Sequence, residues 1–404
     1  MKILEVNKYY YLRGGSERYL FDITALLEQA GHEVVPFSMK NDRNRPTPFE
    51  NDFLDEIDYR ADRPLVQKLG EAARVIWNRE AYRKTKAIVK RERPDIAHLH
   101  NIAHQLSGSV VAALHDMGVP MVQTMHDYKR ICPAYTLFQG GKVCERCKKR
   151  RYWNPIVHKC LLGSRAASTV AALEATWYGM TGLHEKIDRL HAPSHFMRHK
   201  LMEWGIDGKT IEYVPYGLDL TRYRAARDDE DQGYFLYAGR LSREKGLRMA
   251  LKAARHAPHA RIVVAGEGPL RERLTREFAD LGDRLRFDGY LDTPSLHDAI
   301  RGSRAVLLPS QWYENAPFAI YEAFALGKPV IGSDRGGVPE MVKPGDTGWI
   351  EPPDDVEAWA RAMENVSEAA KQAAKRGRAG RQAMETIYTT EAHTKAMLNM
   401  FEKV

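Results

Sequence analysis

The sequence predicts an α/β protein made of two similar lobes, each built on a parallel sheet, with a cleft between them. Three observations lead there. Short apolar runs alternate with amphipathic stretches along the whole chain, the mark of parallel α/β units. That alternation completes one set by about residue 190 and then starts again. Glycine-bearing turns follow directly on several apolar runs, at the strand ends where open parallel sheets carry their ligands. A chain of 404 residues with 44% hydrophobic content is long enough to bury two such cores.

In the first set, Ile3–Val6 reads as a strand, and a helical pattern from Glu17 to about Ala30 stops at Gly31. Val34–Phe37 is the next strand. Residues 42–64, rich in Asp, Arg and Pro, read as a loop or irregular insertion. One helix is expected from about Leu65 to Arg91, then strands at Asp95–Leu99 and Val119–Thr124. Past residue 190 the strand candidates are Leu190–Pro193, Ile211–Val214, Tyr234–Ala238, Arg261–Ala265, Leu285–Phe287, Ala305–Leu308, Pro329–Ile331 and Gly348–Ile350. The charged stretch Asp228–Gly233 reads as the linker. No repeat, low-complexity segment or apolar run of membrane-spanning length appears. The N-terminus reads as a strand rather than a leader, so a cytoplasmic protein is expected.

The net charge of +8 lies wholly in residues 1–215, which hold 33 Lys and Arg against 25 Asp and Glu. Between Lys142 and Lys159 seven basic residues stand against Glu145 alone. A solvated face explains such a run, and so does contact with an anionic membrane surface. With little aromatic interleaving and no accompanying binding module, nucleic acid is not expected as a partner.

Two segments carry most of the chemistry. In Tyr237-Ala238-Gly239-Arg240-Leu241-Ser242-Arg243-Glu244-Lys245-Gly246, a glycine turn and two cations follow a strand. Arg240 as a fork and Lys245 as a point charge can converge on a diphosphate, although such a loop by itself is more often a surface turn. In the run from Pro309 to Ala325, Glu314 and Glu322 lie eight apart, with a helix expected near Pro317. Its start offers free N–H groups to an anion, although without further context a cap and a solvated face are the favoured account of the glutamates. Gly266-Glu267-Gly268 is a further tight turn.

Together these segments resemble glycosyltransferase family four. The resemblance runs from Gly14-Gly15-Ser16-Glu17-Arg18 through His126-Asp127, Val214–Asp219 and the Gly239–Gly246 loop to the paired glutamates, Gly332–Glu340 and Asp346–Gly348. It covers nearly the whole chain, and the ordered set is more specific than any piece. It implies the GT-B fold of two facing Rossmann-like domains. Residues 1–215 would form the acceptor domain, rejoined by a C-terminal helix within 389–404, and 216–388 the donor domain. It implies transfer of a hexose-type sugar from a UDP- or GDP-sugar to a glycan or lipid-linked glycan, with the anomeric configuration retained and no catalytic metal.

By the same resemblance His126, Arg240, Lys245 and Glu314 are the catalytic candidates. Gly14, Gly15, Gly239, Gly266, Tyr290, Leu291, Asn315, Ala316, Phe318, Ala319 and Glu322 join Arg240, Lys245 and Glu314 at the donor. Arg240 and Lys245 would hold the diphosphate, Glu322 the ribose, Glu314 the sugar, and Gly289-Tyr290-Leu291 the base. Tyr216 departs from the Asn common at that position, with little expected effect. For retention the resemblance favours front-face attack, with double displacement on a carboxylate as the lesser alternative. A phosphorylase, a nucleotide-sugar epimerase and a non-enzymatic protein binding anionic surfaces are the rival readings.

His98, His100 and His104 read as packing or substrate contacts rather than a metal site, and Glu174 as part of a solvated helix face. All four cysteines fall in an insertion at about 128–162: Cys132, Cys144, Cys147 and Cys160. The spacing suits a structural zinc held by four thiolates; free thiols and two disulfides remain open. Glycosyltransferases with a similar His-Asp-Tyr-Lys and cysteine-bearing insertion resemble bacterial cell-envelope polysaccharide enzymes. That implies a cytoplasmic protein in peripheral contact with the inner face of the membrane.

Overall fold

A computed structural model describes residues 1–57 and 65–404. The end of the 42–64 stretch lies outside the described residues. The strands are β1 (Lys2–Val6), β2 (Glu33–Phe37), β3 (Ile96–Leu99), β4 (Met121–Thr124), β5 (Phe138–Gln139), β6 (Lys142–Val143), β7 (Arg189–Ala192), β8 (Ile211–Tyr213), β9 (Tyr234–Ala238), β10 (Ile262–Ala265), β11 (Leu285–Gly289), β12 (Ser303–Leu308), β13 (Val330–Ser333) and β14 (Gly348–Glu351). Two six-stranded parallel sheets result, in the orders β2-β1-β3-β4-β7-β8 and β11-β10-β9-β12-β13-β14. Each sheet reverses its strand order beside its first strand, where ligand crevices form.

The runs at 190 and 211 therefore complete the first sheet rather than begin the second. Nor does Asp228–Gly233 behave as a linker. It forms a turn pinned to the second domain by Arg224–Glu230, Arg304–Asp231 and Arg378–Asp228. The chain has already crossed between sheets in the segment after Tyr213, where Tyr216 is buried and its N–H donates to the Tyr321 hydroxyl at 3.2 Å. The final helix, Thr390–Phe401, returns to the first domain, with the Phe401 ring 5.4 Å from that of His98. Tyr19, Ile23 and Leu27 share one core with Ile320, Phe324, Met397 and Phe401, so the domains are joined by apolar packing as well as polar contacts.

The helix expected over 65–91 is two helices, Leu65–Ile76 and Arg79–Glu92. Asn78 separates them. Its side chain accepts from the N–H groups of Glu80 and Ala81, each at 3.1 Å, and donates to Gln105 O at 2.8 Å. The cap satisfies N–H groups that a helix start leaves unpaired. Asn78→Ala should therefore cost about 1–2 kcal/mol, the range for a lost cap. A lowered urea midpoint with an unchanged slope would show it; an unchanged midpoint would remove the cap from the account.

Candidate active site

The carboxyl ends of the two sheets face each other across a cleft of about 900 Å³. Apart from Gly289, the expected catalytic and donor-binding residues line it: His126, Gly14 and Gly15 from the first domain, and Gly239, Arg240, Lys245, Gly266, Tyr290, Leu291, Glu314, Asn315, Ala316, Phe318, Ala319 and Glu322 from the second. Gly239-Arg240 follows β9, Gly266 follows β10, Tyr290 follows β11 and the Glu314 loop follows β12. Two helices begin at the cleft, Gly15–Gln29 and Phe318–Ala325, so their unpaired N–H groups line it from opposite sides. A Cβ on Gly15 would stand 3.1 Å from the Phe318 ring, so a glycine lets the domains close here. Pro317 caps the second helix rather than opening its first turn.

Lys245 Nζ donates to Glu314 Oε1 at 2.8 Å, and Ser310 Oγ donates to the same oxygen at 2.6 Å. Burial by itself raises the Glu314 pKa; Lys245 and the hydrogen bonds outweigh it and hold the carboxyl below its ordinary value. Arg240 is exposed and makes no side-chain bond to protein among the described residues, which leaves its guanidinium for a ligand. Glu322 is already engaged: Arg18, from the opposite domain, bonds both its carboxylate and the Tyr223 hydroxyl. Asn315 Nδ2 also crosses the cleft, donating to Met125 O at 2.6 Å, while its Oδ1 accepts from Ser194 Oγ at 2.7 Å. Tyr290 is 78% exposed at the edge of the cleft.

His126 ends a buried relay. His98 Nδ1 and His100 Nε2 donate to the two oxygens of Glu5 at 2.9 and 2.6 Å. A carboxylate only accepts, so neutral His100 accepts at Nδ1 from His126 Nε2–H, 3.0 Å away. His126 Nδ1 is then left to accept from the Tyr216 hydroxyl at 3.2 Å. This chain fixes the His126 tautomer and ring. His98 and His100 are thus tied to a buried carboxylate rather than open to substrate. Tyr216, expected to matter little, bonds the catalytic candidate and stacks on Phe318 with centroids 5.3 Å apart. Sequence reasoning missed Glu5, Arg18 and this role of Tyr216; only the departure at Tyr216 offered a signal.

A second cavity, about 950 Å³, lies in the first domain and shares Arg13, Asn101, His126 and Asp127 with the cleft. Lys8, Arg43, Lys129 and Arg130 line it beside Tyr9, Tyr11 and the helix Arg165–Thr181. Glu174 is not on a solvated face: it is fully buried and accepts from Lys129 Nζ at 2.6 Å.

Cys132 and Cys147 are buried, Cys144 and Cys160 partly so, and no disulfide joins them. Burial and then the charges of the other three thiols push Cys147 up; burial and two of them push Cys160 up to about 11. The four thus share one neighbourhood. Among the described residues, three ligand atoms approach within 4.8 Å of one another at Glu5–His98–His100 and at His259–Glu364–Glu368, and the thiols are not among these groups. Ile131, Cys132, Ala134 and Leu137 of the insertion pack into the core of the first domain.

Two facing parallel-sheet domains with glycine-bearing turns at their shared cleft are the GT-B arrangement. The chain belongs to glycosyltransferase family 4: the model of that family matches residues 13–222, and that of glycosyl transferases group 1 matches 222–383. It is 28% identical to a glycogen synthase of Mycobacterium tuberculosis, over 96% of this chain and 91% of that protein. It is 24% identical to a phosphatidyl-myo-inositol mannosyltransferase of Mycolicibacterium smegmatis, over 88% and 81%. Sucrose-phosphate synthase from Thermosynechococcus elongatus shares the fold with a TM-score of 0.74 at 20% identity, covering 100% of this chain and 98% of that one. Anabaena HepE in complex with UDP does so with a TM-score of 0.67 at 16% identity, both chains being covered in full.

The buried histidines make stability sensitive to acid. Burial, reinforced by neighbouring imidazoles, holds His126 and His191 well below the ordinary imidazole value; burial brings His100 and His393 down to about 4. Each is neutral when folded but takes a proton on unfolding once the pH falls below about 6.5. Its contribution is therefore intact above that value and declines as pH falls toward the folded pKa, by about 1.4 kcal/mol per unit for each group. Thermal melts at pH 7 and pH 5.5 should differ by many degrees; equal melting temperatures would contradict the neutral network.

Proposed function

We propose that this glycosyltransferase takes a hexose-type sugar from a UDP- or GDP-sugar and passes it, with retention, to a glycan or lipid-linked glycan. The observation that carries this reading is the meeting of Arg240, Lys245 and the Lys245-bound Glu314 in the cleft, between the starts of two helices. Breaking the anomeric bond builds negative charge on the leaving diphosphate. Arg240, Lys245 and the helix N–H groups are oriented for that charge before it forms, which lowers the barrier without reorganisation.

Glu314, kept ionised by Lys245, can accept from sugar hydroxyls, and Glu322 from those of the ribose. Tyr290 offers a stacking face to the base. His126, fixed by His100 and Tyr216, borders both cleft and second cavity, which suits a place beside the transferred sugar. The second cavity is then the acceptor side. Its cations suit an anionic acceptor, and the complex of the structurally similar Anabaena protein with UDP supports a uridine donor. In front-face attack the leaving phosphate takes the acceptor proton, so no dedicated base is required.

Arg240→Ala and Lys245→Ala should each lower kcat about a hundredfold or more, because each removes leaving-group stabilisation. Glu322→Ala should chiefly weaken donor binding, by about 1.5–3 kcal/mol for a charged hydrogen bond. Steady-state kinetics with nucleotide sugars chosen by a thermal-shift screen read both effects. Near-normal turnover in all three variants would remove the donor site from this cleft.

No catalytic metal enters this scheme, since side-chain cations and helix starts neutralise the diphosphate. A structural zinc remains part of the proposal: Cys132, Cys144, Cys147 and Cys160 supply four thiols in one neighbourhood, and the sulfurs would have to draw in to tetrahedral spacing around the ion. Activity should survive a short exposure to EDTA, while elemental analysis should find about one zinc per chain, the capacity of a four-thiolate site. Rapid loss reversed by magnesium would contradict the first expectation, and zinc far below that ratio with four titratable thiols the second.

A further inference from the structure

The helix Arg165–Thr181 has an unusual outer face. Of its residues only Arg165 and Glu174 are charged, and Glu174 is buried, so no charge reaches solvent beyond the first residue. Leu173, Trp177 and Met180, at helical spacing, are 53%, 44% and 77% exposed. The short helix Asn154–His158 packs beside it, with Trp153 and Val157 exposed at 60% and 62%. A helix that faces water normally turns charged residues outward, and an apolar patch of this kind marks an interaction surface.

Charge says which partner fits. The basic run Lys148, Lys149, Arg150 and Arg151 borders this face, and Arg150 Nη1 donates to Gly179 O at 3.2 Å, beside Met180. Apolar and indole side chains flanked by cations are the composition of helices that lie in the interface of an anionic bilayer. A second copy of this chain fits poorly, because a two-fold contact would set the cations of one patch against those of the other. Ala167, Val170 and Ala171 of the same helix line the second cavity.

We infer that the faces of Asn154–His158 and Arg165–Thr181 dock this protein on an anionic lipid bilayer, with Leu173, Trp177 and Met180 entering the interface and the basic run on the headgroups. Docking itself is independent of the donor reading. Its use, delivery of a lipid-borne acceptor to the second cavity, rests on the transferase reading.

Vesicle flotation of the full chain tests this, with phosphatidylcholine alone and with about a third phosphatidylglycerol, at low and high salt. The protein should float with the anionic vesicles. The triple variant Leu173→Ser, Trp177→Ser, Met180→Ser should lower the bound fraction about tenfold at either salt, through lost apolar insertion. Replacing Lys148, Lys149, Arg150 and Arg151 with Ser should remove the salt-sensitive part. These positions are exposed or border the patch, so both variants should melt at the parent temperature. Failure of the parent to float, or flotation of the triple variant equal to the parent, would overturn the inference. So would a parent dimer that the triple variant abolishes, which would make the face a contact between copies.

Discussion

The donor end of the cleft depends on the contact between Lys245 Nζ and Glu314 Oε1. Glu314 is 5% exposed, and a carboxylate that deep is sustained only by a partner and hydrogen bonds. Loops after several strands hold it. Gly337 N–H donates to Glu314 O at 2.8 Å, and Ser333 Oγ donates to Ser310 O at 2.6 Å. Gly246, at φ +72°, lies so close to Pro309 that a Cβ would fall 1.8 Å from its carbonyl oxygen, so the lysine loop and the glutamate loop fit only with glycine there. Lys245 therefore sits between a fixed internal anion and the open cleft, where the proposed function puts the diphosphate.

The second constraint is closure between domains. Arg18 on Glu322, Asn315 on Met125 O, and Glu340 on the N–H groups of His195 and Phe196 all cross the interface. The last of these sets a carboxylate at the start of the helix His195–Glu203, where the helix dipole favours it. Arg18 occupies the carboxylate that the proposed function gives to the ribose, so on that proposal donor arrival would share or displace the contact and couple binding to domain closure.

Local rules made the strands legible, because apolar runs fix them; the loops at the cleft were legible only through the family resemblance, since glycine, cations and paired glutamates alone read as surface turns and caps. What escaped is what only tertiary packing creates. Glu5 and His98 lie on adjacent strands, β1 and β3, paired in register although 93 residues apart in sequence. Glu174 looked solvated because its partner Lys129 lies in another segment. Asn78 interrupts a long helical pattern through its own cap, a signal present in sequence but weaker than the periodicity around it. The linker was misplaced because composition marks charge, whereas ion pairs decided where Asp228–Gly233 is held.

The central claim is that a nucleotide diphosphate lies between Arg240, Lys245 and the start of the helix at Gly15. A crystal structure of the chain with UDP or GDP is the most direct test. The account predicts both phosphates within hydrogen-bond distance of the Arg240 guanidinium and the Lys245 ammonium, with the base against Tyr290. A nucleotide seated instead among Lys8, Arg43 and Lys129 in the second cavity, with the Arg240 and Lys245 side chains unengaged, would contradict it.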